Sequence, residues 1–144
     1  MIKNIGKKIK IIVIVGGILG ALYLSQLGFN NFFHNTEHVE GTYHSVTRPD
    51  GAFGHTELRR SHNGNYRNDE VYQFRFLGPS RVMTDGGIYG ENDGLVDRIH
   101  IMGPRFGGIT GVLTREENYE IFKEEFDRAD RVLAETKERF KEYF

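Results

Sequence analysis

Two histidines and a glutamate near the start of the chain have the spacing of a zinc-peptidase motif. His34, Glu37 and His38 form the pattern H-x-x-E-H, in which two histidines on one helix face bind zinc and the glutamate acts as general base. The pattern predicts, as one alternative, a small metal-dependent hydrolase. A looser metal site would combine His34 and His38 with His44. The ordinary interpretation is that these are solvated histidines in a linker over residues 30–38.

The rest of the sequence gives little support for catalysis. The chain has no cysteine, which excludes thiolate nucleophiles, disulfides and iron–sulfur clusters. Its glycine clusters fit neither a phosphate-binding loop nor a dinucleotide-binding turn, and no nucleophile-elbow motif surrounds a serine. We therefore predict no catalytic residue and no cofactor. Asp97 shares a strand face with Leu95 and Ile99, which predicts a buried carboxylate that needs a partner such as an arginine.

The central part of the chain contains arginine but no lysine. Eight arginines and no lysine lie between residues 30 and 113. A guanidinium group suits carboxylates, phosphates and aromatic faces, so Arg59, Arg75 and Arg98 are predicted contacts for an anionic ligand or a partner. The alternative is ordinary cross-strand pairing with the ten acidic residues of the same stretch. Beyond residue 10, 15 basic residues face 20 acidic ones, a balance that disfavours nucleic-acid binding.

An uncharged apolar stretch follows a basic start. Lys3, Lys7, Lys8 and Lys10 occupy the tail over residues 1–10, and residues 11–29 are apolar for a length of roughly 28 Å as a helix, which is close to the thickness of a bilayer. This predicts an uncleaved transmembrane signal anchor. The alternatives are a cleaved signal peptide, which lacks small residues at a suitable cleavage site, and a buried helix of a soluble protein.

The lysines also predict an orientation. The positive-inside rule places residue 1 in the cytoplasm and the domain that follows the apolar stretch on the outer side of the cell membrane. The reason is that no basic residue other than histidine follows this stretch until Arg48. Gly16 and Gly20 have the small-xxx-small spacing that lets two membrane helices approach closely. They are the predicted contact of a helix dimer.

Residues 39–113 alternate with period two between turn signals, which is typical of an antiparallel meander of six or seven strands. The predicted first strand runs from residue 39 to residue 47. Another strand carries Tyr72, Phe74 and Phe76 on one face, which we expect to be buried. The opening Gly41-Thr42-Tyr43 and the later aromatic strand resemble small lipocalin-like barrels in their spacing. The resemblance implies a sheet that closes, at least partly, into a barrel, and the alternative is an open sheet.

Residues 114–144 have the pattern of one long amphipathic helix. Thr114 and Glu117 have the spacing of a capping box, and no glycine or proline follows. Its apolar stripe predicts a helix that packs across the sheet. The end of the helix is expected to extend beyond the sheet and to offer a partner contact through Phe140, Tyr143 and Phe144.

Together these features predict an α+β protein: a transmembrane helix, then a β meander packed by a C-terminal helix. The first functional hypothesis is a membrane-anchored, extracytoplasmic, non-enzymatic interaction module that binds a protein partner or itself. The second is a lipocalin-like carrier of a small apolar or anionic ligand. The third is the metal-dependent hydrolase that would use His34, Glu37 and His38.

Overall fold

A computed structural model describes the backbone of residues 2–76, 78–103 and 109–144, and the side chains of residues 12–76, 78–103 and 111–144. The four N-terminal lysine side chains and Arg105, Gly107 and Gly108 lie outside these ranges. The elements follow one another as a long helix, seven strands and a helical C-terminal segment. The predicted combination of an apolar helix, an antiparallel sheet and a C-terminal helix is confirmed at this level.

Helix α1 spans Ile2–Phe33. Its segment Ile12–Phe33 is 22 residues long, has a mean hydropathy of 1.9 and is long and apolar enough to cross a membrane. Only His34 and Asn35 separate this helix from the first strand, whereas the sequence predicts a linker over residues 30–38. The helix continues through Asn30 because backbone carbonyl groups of the β domain accept hydrogen bonds from the Asn30 amide.

The seven strands form one antiparallel sheet in which each strand pairs with the next in sequence. Residues 39–47 do not form one strand as predicted. The chain reverses at Gly41 and Thr42, where Gly41 adopts a φ of +56°, so that this segment contributes to a hairpin. The strands are β1 Thr36–Glu40, β2 Tyr43–Pro49, β3 Gly54–Asn63, β4 Tyr66–Arg75, β5 Ser80–Gly86, β6 Arg98–Met102 and β7 Ile109–Thr114.

The sheet is open, because β1 and β7 are its two edges and do not pair with each other. The partly closed barrel expected from the lipocalin-like spacing is therefore not formed by the described strands. The core lies instead against one face of the sheet. A single row of paired residues crosses six strands on that face and forms its centre: Val46, Leu58, Val71, Met83, Ile99 and Leu113.

The predicted burial of one face of β4 is reversed. Val71 is fully buried on the core side, whereas Tyr72 and Phe74 on the opposite side are half-buried and Phe76, just past the strand, is 37% exposed. Alternation distinguishes the two faces of a strand but does not identify the face that a helix covers.

The C-terminal segment is interrupted instead of forming one helix. Helix α2 spans Arg115–Asn118, helix α3 spans Lys123–Arg139, and a 3₁₀-helix covers Lys141–Tyr143. The predicted capping box is not formed, because the Thr114 hydroxyl lies 3.3 Å from the Glu117 carboxylate and makes no cap bond to the backbone.

Helix α3 packs its apolar stripe onto the core row. Phe126, Ala129 and Leu133 belong to the same buried cluster as the strand residues. The prediction that the helix end protrudes is wrong. Phe140 is 1% exposed, and Tyr143 and Phe144 pack against the core, because the turn after Arg139 directs the aromatic end of the chain back over β2 and β3.

Candidate interaction surface

Helix α3 covers one face of the sheet and leaves the other without a helix along most of its length. We call the second face the open face and define it by two adjacent rows of paired residues. Its side chains are mainly half-buried, with Val112 at 41% exposure. The first row holds Ser45, Arg59, Glu70, Thr84, Arg98 and Thr114, and the second holds Thr47, Glu57, Tyr72, Val82, His100 and Val112.

Arg59 is held in place on the open face by contacts with three side chains. Its guanidinium lies 5.1 Å from the centre of the Tyr43 ring and 4.5 Å from that of Tyr72. It also lies 3.2 Å from the Glu57 carboxylate and donates to the Tyr72 hydroxyl at 3.1 Å. Because this fork already has a carboxylate partner, Arg59 contributes a fixed polar and aromatic surface and not an empty anion site.

The hydroxyl of Tyr72 continues this network by donating to Glu70 at 3.0 Å. Burial, together with the nearby Glu70 carboxylate, raises the pKa of Tyr72 to about 12. Burial opposes the charge of Arg59, but the adjacent Glu57 outweighs it and raises the pKa of the guanidinium above its ordinary value. Arg59 and Tyr72 therefore both keep their protons at neutral pH.

Arg98 lies on the same row three strands away. Its guanidinium stacks on Tyr89 at 4.3 Å, and among the described residues its buried Nε has no hydrogen-bond partner. Burial and the charge of Arg98 lower the pKa of neighbouring His100, which favours its neutral form.

Arg75 does not join the other two predicted arginines. It is exposed, pairs in register with Gly54, and lines a groove with Gln73 and Arg139 on the helix-covered side of the sheet. The structure therefore places Arg59 and Arg98 on one face and Arg75 on the other. The three do not form one anion-binding patch.

The histidine motif does not have the geometry that zinc binding requires. Helix α1 ends at Phe33, and His38 lies in strand β1, so His34 and His38 do not share a helix face. His34 stacks on His55 at 3.9 Å, and His44 lies 2.9 Å from Glu37. Within the described parts of the chain, no group of three or more histidine, aspartate or glutamate residues is placed to hold a metal ion.

A buried ionic network that sequence reasoning missed connects α3 to the sheet. The Lys137 ammonium lies 2.7 Å from Asp69 and 2.8 Å from Asp85, whose side chains are 5% and 0% exposed. Arg60 also bonds Asp69, at 2.8 Å. Asp85 accepts two further hydrogen bonds from the backbone N–H groups of Asp93 and Gly94.

The two carboxylates of this network respond to burial differently. Burial opposes the ionisation of Asp69, but hydrogen bonds from Arg60 and Lys137 outweigh it and hold the pKa of Asp69 below its ordinary value. For Asp85 burial prevails over the hydrogen bond from Lys137, and the pKa is raised. No sequence pattern signals this network, because its members are brought together only by the packing of α3.

Asp97 is partly buried, as expected, but the hydrogen-bond donor that the structure gives it is a backbone N–H and not an arginine side chain. It accepts a hydrogen bond from the Gly86 N–H at 2.8 Å. Arg115 instead binds Asp130 at 2.5 Å and the carbonyl oxygen of Val96 at 2.7 Å. Burial is the main reason that the pKa of Asp97 is raised.

Replacing Asp97 with asparagine is expected to change the pH dependence of stability. A native carboxyl whose pKa is raised destabilises the fold when it ionises, so wild-type stability falls as pH rises from the unfolded-state pKa of about 4 through the native value. The substituted amide retains an acceptor for Gly86 and does not titrate. The wild type should therefore gain stability relative to Asp97→Asn as the pH falls from about 7 toward 4.

Urea unfolding of the full chain in detergent micelles, repeated across this pH range, measures the difference. Glu91→Gln at an exposed position of the same segment is the control and should follow the wild type within about 0.5 kcal/mol at each pH. A constant difference between the wild type and Asp97→Asn across the range would contradict the prediction.

Gly16 and Gly20 lie on the exposed part of α1. A methyl group added at either position would meet no atom within 4 Å, so nothing in the described part of the chain packs against them. Their role as a helix–helix contact stays a prediction.

No protein-family model, no curated protein and no solved structure matches the chain.

Proposed function

We propose that the chain is a membrane-anchored, non-enzymatic interaction module that holds its β domain at the outer side of the cell membrane. The observation that carries this proposal is the combination of an unburied apolar helix and a sheet with one open face. The helix connects directly to a folded domain that uses α3 to build its core. Its proposed partner is a protein or a second copy of the chain.

The helix supports the anchoring part of the proposal. None of its most apolar window is buried against the protein, whereas the core helix of a soluble protein would bury its apolar face. A backbone in helical form satisfies its own polar groups, as a lipid environment requires. The basic residues at its start favour a cytoplasmic N-terminus.

The open face supports the interaction part. It combines tyrosine and arginine side chains, the residue types enriched at protein interfaces, in an arrangement that hydrogen bonds already fix. A side chain held in its bound conformation loses less entropy on association. Arg59 between Tyr43 and Tyr72 has this property.

The open sheet gives little support to a carrier function, because a carrier needs an enclosed cavity and α3 occupies the inner face with Phe126 and Leu133. The hydrolase alternative needs His34 and His38 on one face of a helix, which they do not have. We therefore advance neither as a second proposal.

Site-specific photocrosslinking in intact cells tests the interaction surface. A benzophenone amino acid at Val112, on the open face, is expected to give a discrete heavier adduct with a partner or a second copy. The same group at Ala134, exposed on the solvent side of α3, is the control and should give no such adduct. Equal adduct formation at both positions, or none at Val112, would contradict the proposal for this face.

Membrane fractionation and terminal reporter fusions test the anchor separately. The full-length chain should sediment with membranes, resist extraction by carbonate and dissolve in detergent. A reporter that is active only outside the cytoplasm should be active at the C-terminus and inactive at the N-terminus. Recovery of the full chain in the soluble fraction would refute the proposed location.

A further inference from the structure

One face of α1 is docked against the sheet. Residues at helical spacing contact the loop between β2 and β3 in turn. Tyr23 lies 6.0 Å from Phe53, ring centre to ring centre, and the Asn30 amide donates to the carbonyl oxygens of Gly51 and Gly54 at 2.5 and 2.6 Å.

This docking is polar and specific at its centre. Asn30 is 5% exposed, and its amide reaches two carbonyl oxygens at the turn that joins β2 to β3. One turn further along, His34 stacks on His55, which in turn stacks on Phe74 at 4.8 Å. Since the contacts run from Tyr23 to His34, the final turns of α1 run alongside one end of the sheet.

The sheet end that meets α1 carries exposed aromatic residues on two neighbouring loops. Phe53, between β2 and β3, is 41% exposed, and Phe76, between β4 and β5, is 37% exposed. Their ring centres are 6.1 Å apart, and the Phe76 N–H donates to the Phe53 carbonyl oxygen at 2.8 Å. The two loops therefore present their rings together.

Further aromatic side chains are exposed on the last turns of α1. Phe29, Phe32 and Phe33 are 53%, 78% and 53% exposed. The ring centres of Phe29 and Phe32 lie 4.3 and 5.0 Å from that of Phe33. We use the name aromatic collar for these exposed rings of the last turns of α1 together with the rings at the sheet end: Phe29, Phe32, Phe33, Tyr23, Phe53 and Phe76. Tyrosine is enriched at the boundary between lipid and water, and phenylalanine is typical of the apolar side of segments that lie in this boundary.

The contact between Phe53 and Tyr23 determines how deep the loop that carries Phe53 lies in the bilayer. Tyr23 lies roughly 16 Å of helix beyond Ile12, the start of the apolar window, and roughly 15 Å before Phe33 at its end. A domain docked at Tyr23 cannot remain outside a bilayer that covers the whole window. The loops must therefore reach the lipid, because Tyr23 lies six residues, or roughly 9 Å of helix, inside the outer end of the predicted span over residues 11–29.

We infer that the loops carrying Phe53 and Phe76 form a lipid-contact surface, which inserts into the outer leaflet interface beside α1 and holds the sheet against the membrane. This inference rests on the proposed membrane anchoring, since only an embedded α1 brings the loops to lipid. The exposed rings of the aromatic collar contact the headgroup and upper acyl-chain region of the bilayer. The domain is then held at a fixed height and tilt.

The absence of tryptophan from the chain makes a direct test available. Phe53→Trp is placed in the full chain and reconstituted in phosphatidylcholine vesicles, part of whose lipid is brominated near the carbonyl end of an acyl chain. Bromine quenches a nearby indole. Tyr66→Trp, in strand β4 at the opposite end of the sheet and 59% exposed, is the matched control, and Leu19→Trp within α1 reports embedding of the helix.

Phe53→Trp should be quenched by brominated lipid at least about two-fold more than Tyr66→Trp, because an interfacial side chain lies about 5–10 Å into the boundary of the headgroups. Its emission should also be shifted to the blue and be less accessible to acrylamide. The same pattern is expected for Phe76→Trp.

Comparison of the tryptophans at positions 19, 53 and 66 distinguishes failure of the lipid contact from failure of the membrane anchor. Quenching at Leu19→Trp but equal weak quenching at Phe53→Trp and Tyr66→Trp would overturn the lipid contact and leave the anchor intact. No quenching at Leu19→Trp would overturn the anchor and the inference together. Blue-shifted emission at Phe53→Trp that disappears on dilution of protein in lipid, without bromine quenching, would assign the collar to a second copy and overturn the lipid contact.

Discussion

Lys137→Met is expected to lower the free energy of unfolding by about 3 kcal/mol, within the range for breaking a buried ion pair by removing one partner. Methionine preserves the length and the apolar stem of the side chain but removes the charge between Asp69 and Asp85. Both carboxylates then stay buried with one cation fewer to offset their negative charge. The expected loss lies at the low end of the range because the Lys137 side chain is itself 26% exposed.

The loss should depend on pH in a defined direction. Without Lys137 the pKa values of Asp69 and Asp85 should both rise, because a nearby cation and its hydrogen bonds favour the ionised forms. Protonation relieves the uncompensated charge, so the destabilisation by Lys137→Met should be smaller near pH 4 than at pH 7. The double variant Lys137→Met with Asp85→Asn should recover part of the stability at neutral pH.

Urea unfolding of the full chain in detergent micelles, followed by circular dichroism, measures these differences. Lys141→Met is the matched control, because Lys141 pairs with Glu138 at the surface and is 66% exposed. Its expected effect is within about 0.5 kcal/mol. Equal stability of the Lys137→Met and Lys141→Met proteins would show that the network does not contribute.

The order of the sheet is well predicted from sequence because it depends on local signals. Period-two alternation and turn glycines place consecutive strands as neighbours, and all described strands pair in this way. The missed hairpin at Gly41 and Thr42 has a physical reason. A two-residue turn interrupts the alternation only briefly, and a single glycine in a strand pattern equally predicts a bulge.

The choice of buried face was not predictable from β4 alone. Tyr72, Phe74 and Phe76 form the more apolar face by composition, whereas the core face carries Asp69, Val71 and Gln73. A buried aspartate is tolerated there because Arg60 and Lys137 reach it from a neighbouring strand and from α3. The aromatic side instead meets the end of α1 through His55 and Phe74.

For the same reason, the sequence does not show which of the three predicted arginines share a face of the sheet. Arg59 and Arg98 share a row because they lie on strands of matching register, while Arg75 lies two residues beyond Gln73 on the core-facing side of β4. The number of arginines in a sequence does not show which of them are brought side by side when the strands pair. The end of α3 was misplaced because no breaker residue marks the turn at Phe140, where tertiary packing overrides helix propensity.

Phe126→Ala is expected to destabilise the fold by about 3–5 kcal/mol, the range for truncating a fully buried phenylalanine. Phe126 is 0% exposed and belongs to the cluster that joins α3 to the strands. Its ring is also flanked by Tyr119 at 6.0 Å and by the Arg115 guanidinium at 5.0 Å. Alanine would leave a cavity that the sheet, fixed by its hydrogen bonds, fills only in part.

Phe122→Ala is the matched control, because it removes an aromatic ring near the start of α3 that is not fully buried in the core. Phe122 is 40% exposed and precedes Phe126 by one helical turn, so its truncation should cost much less, about 1 kcal/mol. Urea unfolding of both variants in the same micelles compares them. If the sheet were stable without α3, Phe126→Ala would match Phe122→Ala, and the strands would retain their circular dichroism signal after the helix had unfolded. A single cooperative transition at lower urea concentration is expected instead, because Phe126, Ala129 and Leu133 of α3 belong to the same buried cluster as the strand residues.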